Sequence, residues 1–388
     1  MVAKIATRLG VSSNELLVDQ SGQEMALNLN MAKVAFSSGD FESAKDYANL
    51  VLGHPGIAAN FNLEASVVLL QVRAREGFSD GLLDELERLF KGNRNASPDL
   101  RARIGNEIVR VCFQFGNLGM GVQLGEEMLR EEAAFWAETE IVELLCLLGS
   151  CHFHRGDTPR ANEIISRALT LAEKCKSPKA MVQSYWQSSM LAESRGDLAL
   201  ALSHINTAVH WTKLAELSQV LPVLNDNAAK IMLDLPNPDF AQIHSLAESA
   251  YLDMSSQNNP RYAAYACITL SEVELRLGNV EKALMYVRKG LNELPAEIPG
   301  PKVSLYSQEA KALFRLGKIG EAREQLERAV SHMEKMAPSK ELALYWGEIA
   351  RVFVEVGLQG RAILAYEQAI AVAAMSQAEQ EEFAELKI

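Results

Sequence analysis

The stretch that decides the fold is Cys151-His152-Phe153-His154-Arg155-Gly156-Asp157-Thr158-Pro159-Arg160-Ala161-Asn162-Glu163-Ile164-Ile165-Ser166-Arg167-Ala168. Ahead of it, Ile141, Leu144, Leu145, Leu148 and Cys151 recur at helical spacing, so residues 140–155 read as an amphipathic helix. Gly156-Asp157 breaks the pattern. A glycine there takes the left-handed cap conformation, and the aspartate after it caps a following helix. Ala161, Ile164, Ile165, Ala168 and Leu171 then make a second apolar stripe. Ala161 and Ala168 are small enough to let the two helices approach closely. The whole is a helical hairpin.

The hairpin recurs. Gly156, Ala161, Ala168 are matched by Gly196, Ala201, Ala208; by Gly278, Ala283, Gly290; by Gly317, Ala322, Ala329; and by Gly357, Ala362, Ala369. Weaker copies centre on Gly39, Gly77, Gly116 (with Gly121) and Pro238. Successive marks lie 38 to 42 residues apart. A period in this range predicts stacked helical units sharing one core, and such a stack is a binding surface first. Pro98, Pro178, Pro222, Pro260, Pro301 and Pro338 fall where each next repeat begins, in connectors or first turns that tolerate proline. No alternating β-branched run competes. The expected fold is all-α, a right-handed α-solenoid of about nine hairpins over residues 21–375, with a polar capping helix at 376–388.

Composition narrows the function. The 38 Lys and Arg face 50 Asp and Glu, a net charge of −12, which argues against a surface built to hold nucleic acid or anionic lipid. Five cysteines in no framework spacing read as reduced, mostly buried thiols of a cytoplasmic protein. No stretch approaches the ~18 unbroken apolar residues of a membrane span, and the start lacks a signal peptide's apolar segment.

Gly39-Asp40-Phe41 with Ala44, and the Gly-Asp pairs at 156 and 196, resemble the tetratricopeptide repeat. The likeness departs in the first helix, where Cys112, His152, Ala192 and Glu274 stand in the family's aromatic slot, and in the longer period. Residues 1–20 lie outside the repeat. Within them Ile5, Ala6, Leu9, Gly10, Val11, Ser12, Glu15, Leu16 and Leu17 resemble, in order, the last two helices of an Xre-type helix-turn-helix domain. Gly10 would end one helix and Ser12 would cap the next, with Glu15 completing a capping box. The recognition helix of that family would lie upstream of Met1, so DNA would be reached only through a domain outside this chain. The alternative is that residues 1–20 simply cap the stack.

Phase also assigns faces. In this fold the first helices of the hairpins line the concave side. Two and six positions before each turn lie Lys33, Arg75, Arg110, Gln114, Ser150, His154, Met190, Glu272, Arg276, Lys311, Arg315 and Arg351, among others. Together the two sets hold seven Lys or Arg and two Glu, the reverse of the chain's balance. A positive groove would focus an anionic ligand. Asn106, Trp186, Gln187, Asn225, Asn227 and Tyr265 share the same face. An Asn or Gln amide can pair with a peptide's N–H and C=O together, and Trp186 with Met190 can form an adaptable apolar pocket. The expected ligand-binding groove is therefore Asn106, Arg110, Gln114, Trp186, Gln187, Met190, Asn225, Asn227, Tyr265, Arg276, Lys311 and Arg351.

With its Xre-like start the chain resembles the quorum-sensing regulators whose tetratricopeptide repeats bind a short signalling peptide. That resemblance implies a short peptide or small anionic ligand in the groove, backbone contacts from Asn106, Asn225 and Asn227, and a homodimer. A protein-interaction scaffold, or a regulator acting on an enzyme through the same groove, are the alternatives. No cofactor or catalytic group is expected. Cys151 and His154 fall short of a metal's usual three or four ligands, the glycines at 116, 119, 121 and 125 are wrongly spaced for a phosphate loop, and no catalytic constellation can be placed.

Overall fold

The computed structural model describes residues 20–77, 81–215, 217–294, 299–336 and 338–375. The Xre-like stretch and the C-terminal cap lie outside the described residues. Among those described there are eighteen α-helices and no strand. In chain order they are α1 (Gln20–Ser37), α2 (Phe41–Leu52), α3 (Ala59–Arg75), α4 (Leu82–Gly92), α5 (Pro98–Gln114), α6 (Leu118–Glu131), α7 (Glu138–His154), α8 (Thr158–Cys175), α9 (Pro178–Ser194), α10 (Leu198–Leu214), α11 (Leu221–Leu233), α12 (Phe240–Ser256), α13 (Pro260–Arg276), α14 (Val280–Glu293), α15 (Pro299–Arg315), α16 (Ile319–Met333), α17 (Lys340–Glu355) and α18 (Gln359–Ala374). Odd-numbered helices are the first, and even-numbered the second, of each hairpin. None is long and apolar enough to cross a membrane.

The turn chemistry is as the sequence dictates. Gly156 has φ +89°, a region that side-chain-bearing residues rarely adopt. Its N–H reaches the Phe153 carbonyl at 3.0 Å, and the Asp157 N–H reaches the His152 carbonyl at 2.9 Å. These two bonds close α7 in a Schellman motif and satisfy carbonyls that would otherwise be orphaned. The second bond recurs from Asp40, Asp197, Asn279, Lys318 and Leu358 to the carbonyl five residues earlier. Asp157, Asp40 and Asp197 then accept from the amide three residues on, each at 3.1 Å. Such a cap stabilises a helix start by about 1 kcal/mol. Asn279, Lys318 and Leu358 make no side-chain cap. Pro98, Pro178 and Pro260 open α5, α9 and α13, where a missing amide costs nothing.

The chain divides into two compact units, Met1–Ile108 and Val109–Ile388, so that α5 begins in the first and ends in the second. The first unit packs Leu29, Ala32, Ala44, Ala48, Val51, Ala65, Val68 and Val72 into one core, with Phe36, Phe41 and Tyr47 against it. In the second unit the small residues are where close approach demands them. Ala161, Ala168, Ala201, Ala208, Ala283, Ala322 and Ala329 are fully buried. At Gly125 a Cβ would lie 2.6 Å from Leu148 Cδ2, and at Gly121 it would lie 3.0 Å from Cys112 Cβ. Gly121 and Gly125 are therefore packing residues. All five cysteines are free thiols, four of them buried.

Within the second unit, α7 contacts α9, α11 contacts α13, α13 contacts α15, and α15 contacts α17. Neighbouring second helices pack less closely on one another. The first helices thus form the inner row, as the phase predicts.

Candidate ligand-binding face

The inner row carries most of the expected site. Gln187 and Met190 on α9, Asn225 and Asn227 on α11, and Tyr265 on α13 are half-buried, as are Arg110 and Gln114 on α5 and Lys311 on α15. Trp186 is half-buried too, and packs against both apolar clusters that meet across α9, α11 and α13. It is core and face at once. Its indole Nε1 is buried without a hydrogen-bond partner, and so is Oε1 of Gln183 one turn earlier. Arg276 and Arg351 are exposed. Asn106 stands apart: it belongs to the first unit and is 1% exposed, so it lies inside rather than on the face.

The basic members are not bare charges. In the first unit Glu64 receives both Lys33 and Arg103, the latter at 3.0 Å, and Glu107 receives Arg75 at 3.2 Å. In the second unit Glu143 on α7 receives Arg110 from the preceding first helix and Lys179, at 2.8 Å, from the next. Lys230 pairs with Glu193 at 2.8 Å. Glu272 holds Arg276 at 3.0 Å and Lys311 at 3.6 Å, and accepts from Gln308 at 2.8 Å. Within each unit carboxylates thus link one first helix to the next and pair Lys33, Arg75, Arg110, Arg276 and Lys311, five of the seven cations counted from the inward slots, while Arg315 donates to the Leu275 carbonyl. Burial alone would raise the Glu143 carboxyl, but the Arg110 and Lys179 charges outweigh it and hold it at about 2. Glu272 is lowered in the same way, burial being overcome chiefly by Lys311.

Sequence reasoning missed these carboxylates because it counted slots and not partners. A signal was present. Lys33 and Glu64, Arg75 and Glu107, and Arg110 and Glu143 are separated by 31, 32 and 33 residues, slightly less than one repeat. It also missed Asp226, between the two expected amides. Asp226 is 5% exposed, and its Oδ1 has no partner. Burial pushes its carboxyl up to about 6, against the opposing Thr269 hydroxyl bond and the Lys230 charge.

A third group was missed because residues far apart in sequence compose it. The first helix α17 comes back against α7. Lys340 Nζ sits 3.6 Å from the centre of the Phe153 ring. His154 meets Phe113 and Phe153 edge-on, with centroids 5.1 and 5.4 Å away. Tyr345 donates to Glu341 Oε1 at 2.8 Å. Burial lowers both His154 and Lys340.

On the second-helix side, a cleft of about 290 Å³ is lined by Glu126, Leu129, Arg130, Arg160 and Arg167. No residue of the expected site lines it. Among the described residues no three His, Cys, Asp or Glu come together as metal ligands.

The sequence matches no family model and no curated protein. Solved structures do resemble the fold. A Rap protein complexed with competence and sporulation factor superposes with TM-score 0.64 at 15% identity, over 90% of this chain and 98% of that one. NprR in complex with its cognate peptide NprX gives 0.56 at 10% identity, over 93% and 92%. The Cut9–Hcn1 hetero-tetramer of APC/C gives 0.59 at 14% identity, over 94% of this chain and 64% of that one. At these identities the likeness is one of fold: an all-α, TPR-like solenoid.

Proposed function

We propose that the inner row of first helices in the second unit binds a short peptide, and that the chain is the ligand-sensing region of a regulator. The observation that carries this reading is the row Gln183, Trp186, Gln187, Asn225 and Asn227. It combines buried polar atoms that lack a partner with half-buried amides able to pair with a peptide backbone. A buried donor or acceptor left unsatisfied costs about 1–3 kcal/mol, which a ligand's backbone would recover. Two of the similar solved structures hold a signalling factor or cognate peptide. The Xre-like residues before the repeat support a regulator whose output is a DNA-binding domain, acting as a cytoplasmic homodimer. The pairing of most inward cations with carboxylates favours a peptide over a small anion held by charge alone.

The test is affinity capture from a synthetic heptapeptide library on the immobilised full chain, read by mass spectrometry. The wild type should retain a subset of sequences, and Asn227→Ala and Trp186→Ala should each reduce that retention about tenfold while helicity is unchanged. Retention no better than on bare matrix, or equal retention by all three chains, rejects the assignment. A scaffold without a sensing role would retain long helical segments in the same format but no heptapeptide.

A further inference from the structure

We propose that the cleft between α6 and α8, on the second-helix side, binds a phosphate monoester, with Arg130, Arg160 and Arg167 as its clamp. The site lies apart from the inner row and does not rest on the peptide reading. Helical spacing builds it. On α6, Glu126, Leu129 and Arg130 are three and four residues apart and share a face; on α8, Arg160 and Arg167 are seven apart, two turns along one face. All five line one cleft of about 290 Å³, the small end of the range for ligand sites, about 300–1,000 Å³.

Charge selects the ligand. Glu126 accepts from Arg160 at 3.3 Å, and Arg160 also donates to Glu163 at 2.8 Å. Arg130 and Arg167 are exposed, and neither pairs with a carboxylate among the described residues. On a chain of net charge −12 these two unmatched guanidiniums stand out. A carboxylate brings one negative charge and two oxygens. A phosphate monoester brings about 1.5–2 charges and three acceptor oxygens at neutral pH, and a planar guanidinium matches two of those oxygens at once. The phosphate thus answers both unmatched charges and leaves an oxygen for Arg160. Leu129 gives the ester's substituent an apolar wall.

A second observation points the same way. The His152 side chain on α7 is 6% exposed, and neither ring nitrogen makes a hydrogen bond. Nδ1 lies 3.4 Å from Asp157 Oδ2, and Nε2 lies 3.5 Å from Glu126 Oε1, the same oxygen that Arg160 reaches. Both contacts to Glu126 are longer than a well-formed charge-assisted bond, about 2.7–2.9 Å. Glu126 is therefore held loosely between Arg160 and His152. A phosphate that takes Arg160 releases Glu126 to His152, whose Nε2 gains a partner in the tautomer that carries its N–H there. The inner row is built the other way round. There one carboxylate, Glu143 or Glu272, holds two cations; here one carboxylate shares a cleft with three guanidiniums.

The experiment is calorimetric titration of the full chain in low-salt, phosphate-free buffer. The probes are inorganic phosphate, glycerol phosphate, a phosphoserine tripeptide, and succinate as a dicarboxylate control. The wild type should bind the phosphates about tenfold more tightly than succinate. The double variant Arg130→Gln/Arg167→Gln, both at exposed positions, should weaken phosphate binding at least about tenfold with helicity unchanged. Glu126→Gln, which removes the competing charge and keeps the shape, should tighten it about threefold to tenfold. Tighter binding of the tripeptide than of glycerol phosphate places the phosphate on a partner protein, and the reverse places it on a small ester. No binding of any phosphate probe, an affinity unchanged in the double variant, or succinate bound as tightly as the phosphates overturns the site. Weaker phosphate binding by Glu126→Gln overturns it as well.

Discussion

Replacing Asp226 with Asn is expected to stabilise the protein at neutral pH. Asp226 sits mid-way along α11, 5% exposed, with one oxygen unpartnered. Burial raises its carboxyl from the ordinary 3.8 to about 6. Between those values the folded chain keeps a proton that the unfolded chain has lost, so stability falls as pH rises through that window. At about 1.4 kcal/mol for each tenfold change in proton affinity, ionising this buried carboxyl costs about 3 kcal/mol of stability above pH 6. Asparagine removes the charge but brings an N–H₂ that needs an acceptor, so the net gain should be about 1–3 kcal/mol. All four tryptophans, at 136, 186, 211 and 346, lie in the second unit. Urea unfolding followed by their fluorescence therefore reports on the unit that contains Asp226. Run at several values between pH 4.5 and 8, the wild type should lose stability up to about pH 6 and then level off, whereas Asp226→Asn should stay flat across that window. A variant no more stable than wild type at pH 8, or a difference as large at pH 4.5 as at pH 8, would refute the reasoning.

Glu143 should show the opposite dependence. Its carboxyl is held at about 2, so its contribution is present above about pH 4.5 and is lost as pH falls through 2. Glu143→Gln should cost about 2–3 kcal/mol at pH 7, less than a wholly buried pair because Lys179 is half exposed and can turn to water; the cost should shrink towards pH 3 in the same urea assay, and a pH-independent difference would count against the ion-pair account. Gly125→Ala should destabilise by about 1–3 kcal/mol, since its Cβ would meet Leu148 Cδ2 at 2.6 Å. Gly347→Ala, in the interior of α17 with open space around it, should instead gain up to about 1 kcal/mol. Thermal melts of the pair check both signs, and a Gly125→Ala chain as stable as wild type would show the α6–α7 seam to be loose.

The fold was legible because its determinants are local. A turn glycine, a capping aspartate and small residues at fixed offsets act within one hairpin, and Gly156, Asp157, Ala161 and Ala168 each do what their spacing implies. The placement of Trp186, Gln187, Asn225 and Asn227 on first helices was legible from phase alone. Its electrostatics were not. Arg110 looks like a free cation until Glu143, 33 residues on, is folded against it. The limit of phase is sharper still at Asn106, which has the right helix and the wrong exposure: helical position gives a direction, while burial depends on what the neighbouring hairpin puts there. The meeting of Lys340 with Phe153 joins residues nearly 190 apart, and no periodicity shorter than that separation encodes it.

On the proposed function, the carboxylate pairs also bear on how a ligand would arrive. Because five of the seven Lys and Arg side chains in the inward slots lie a few ångströms from a carboxylate, most of their field would die away within about one Debye length, ~8 Å at physiological ionic strength. Encounter is then governed by diffusion and shape, and its rate should change little between dilute buffer and concentrated salt. Discrimination falls to contacts made after arrival. A face arranged in this way would sort ligands by how long they stay, not by how fast they come.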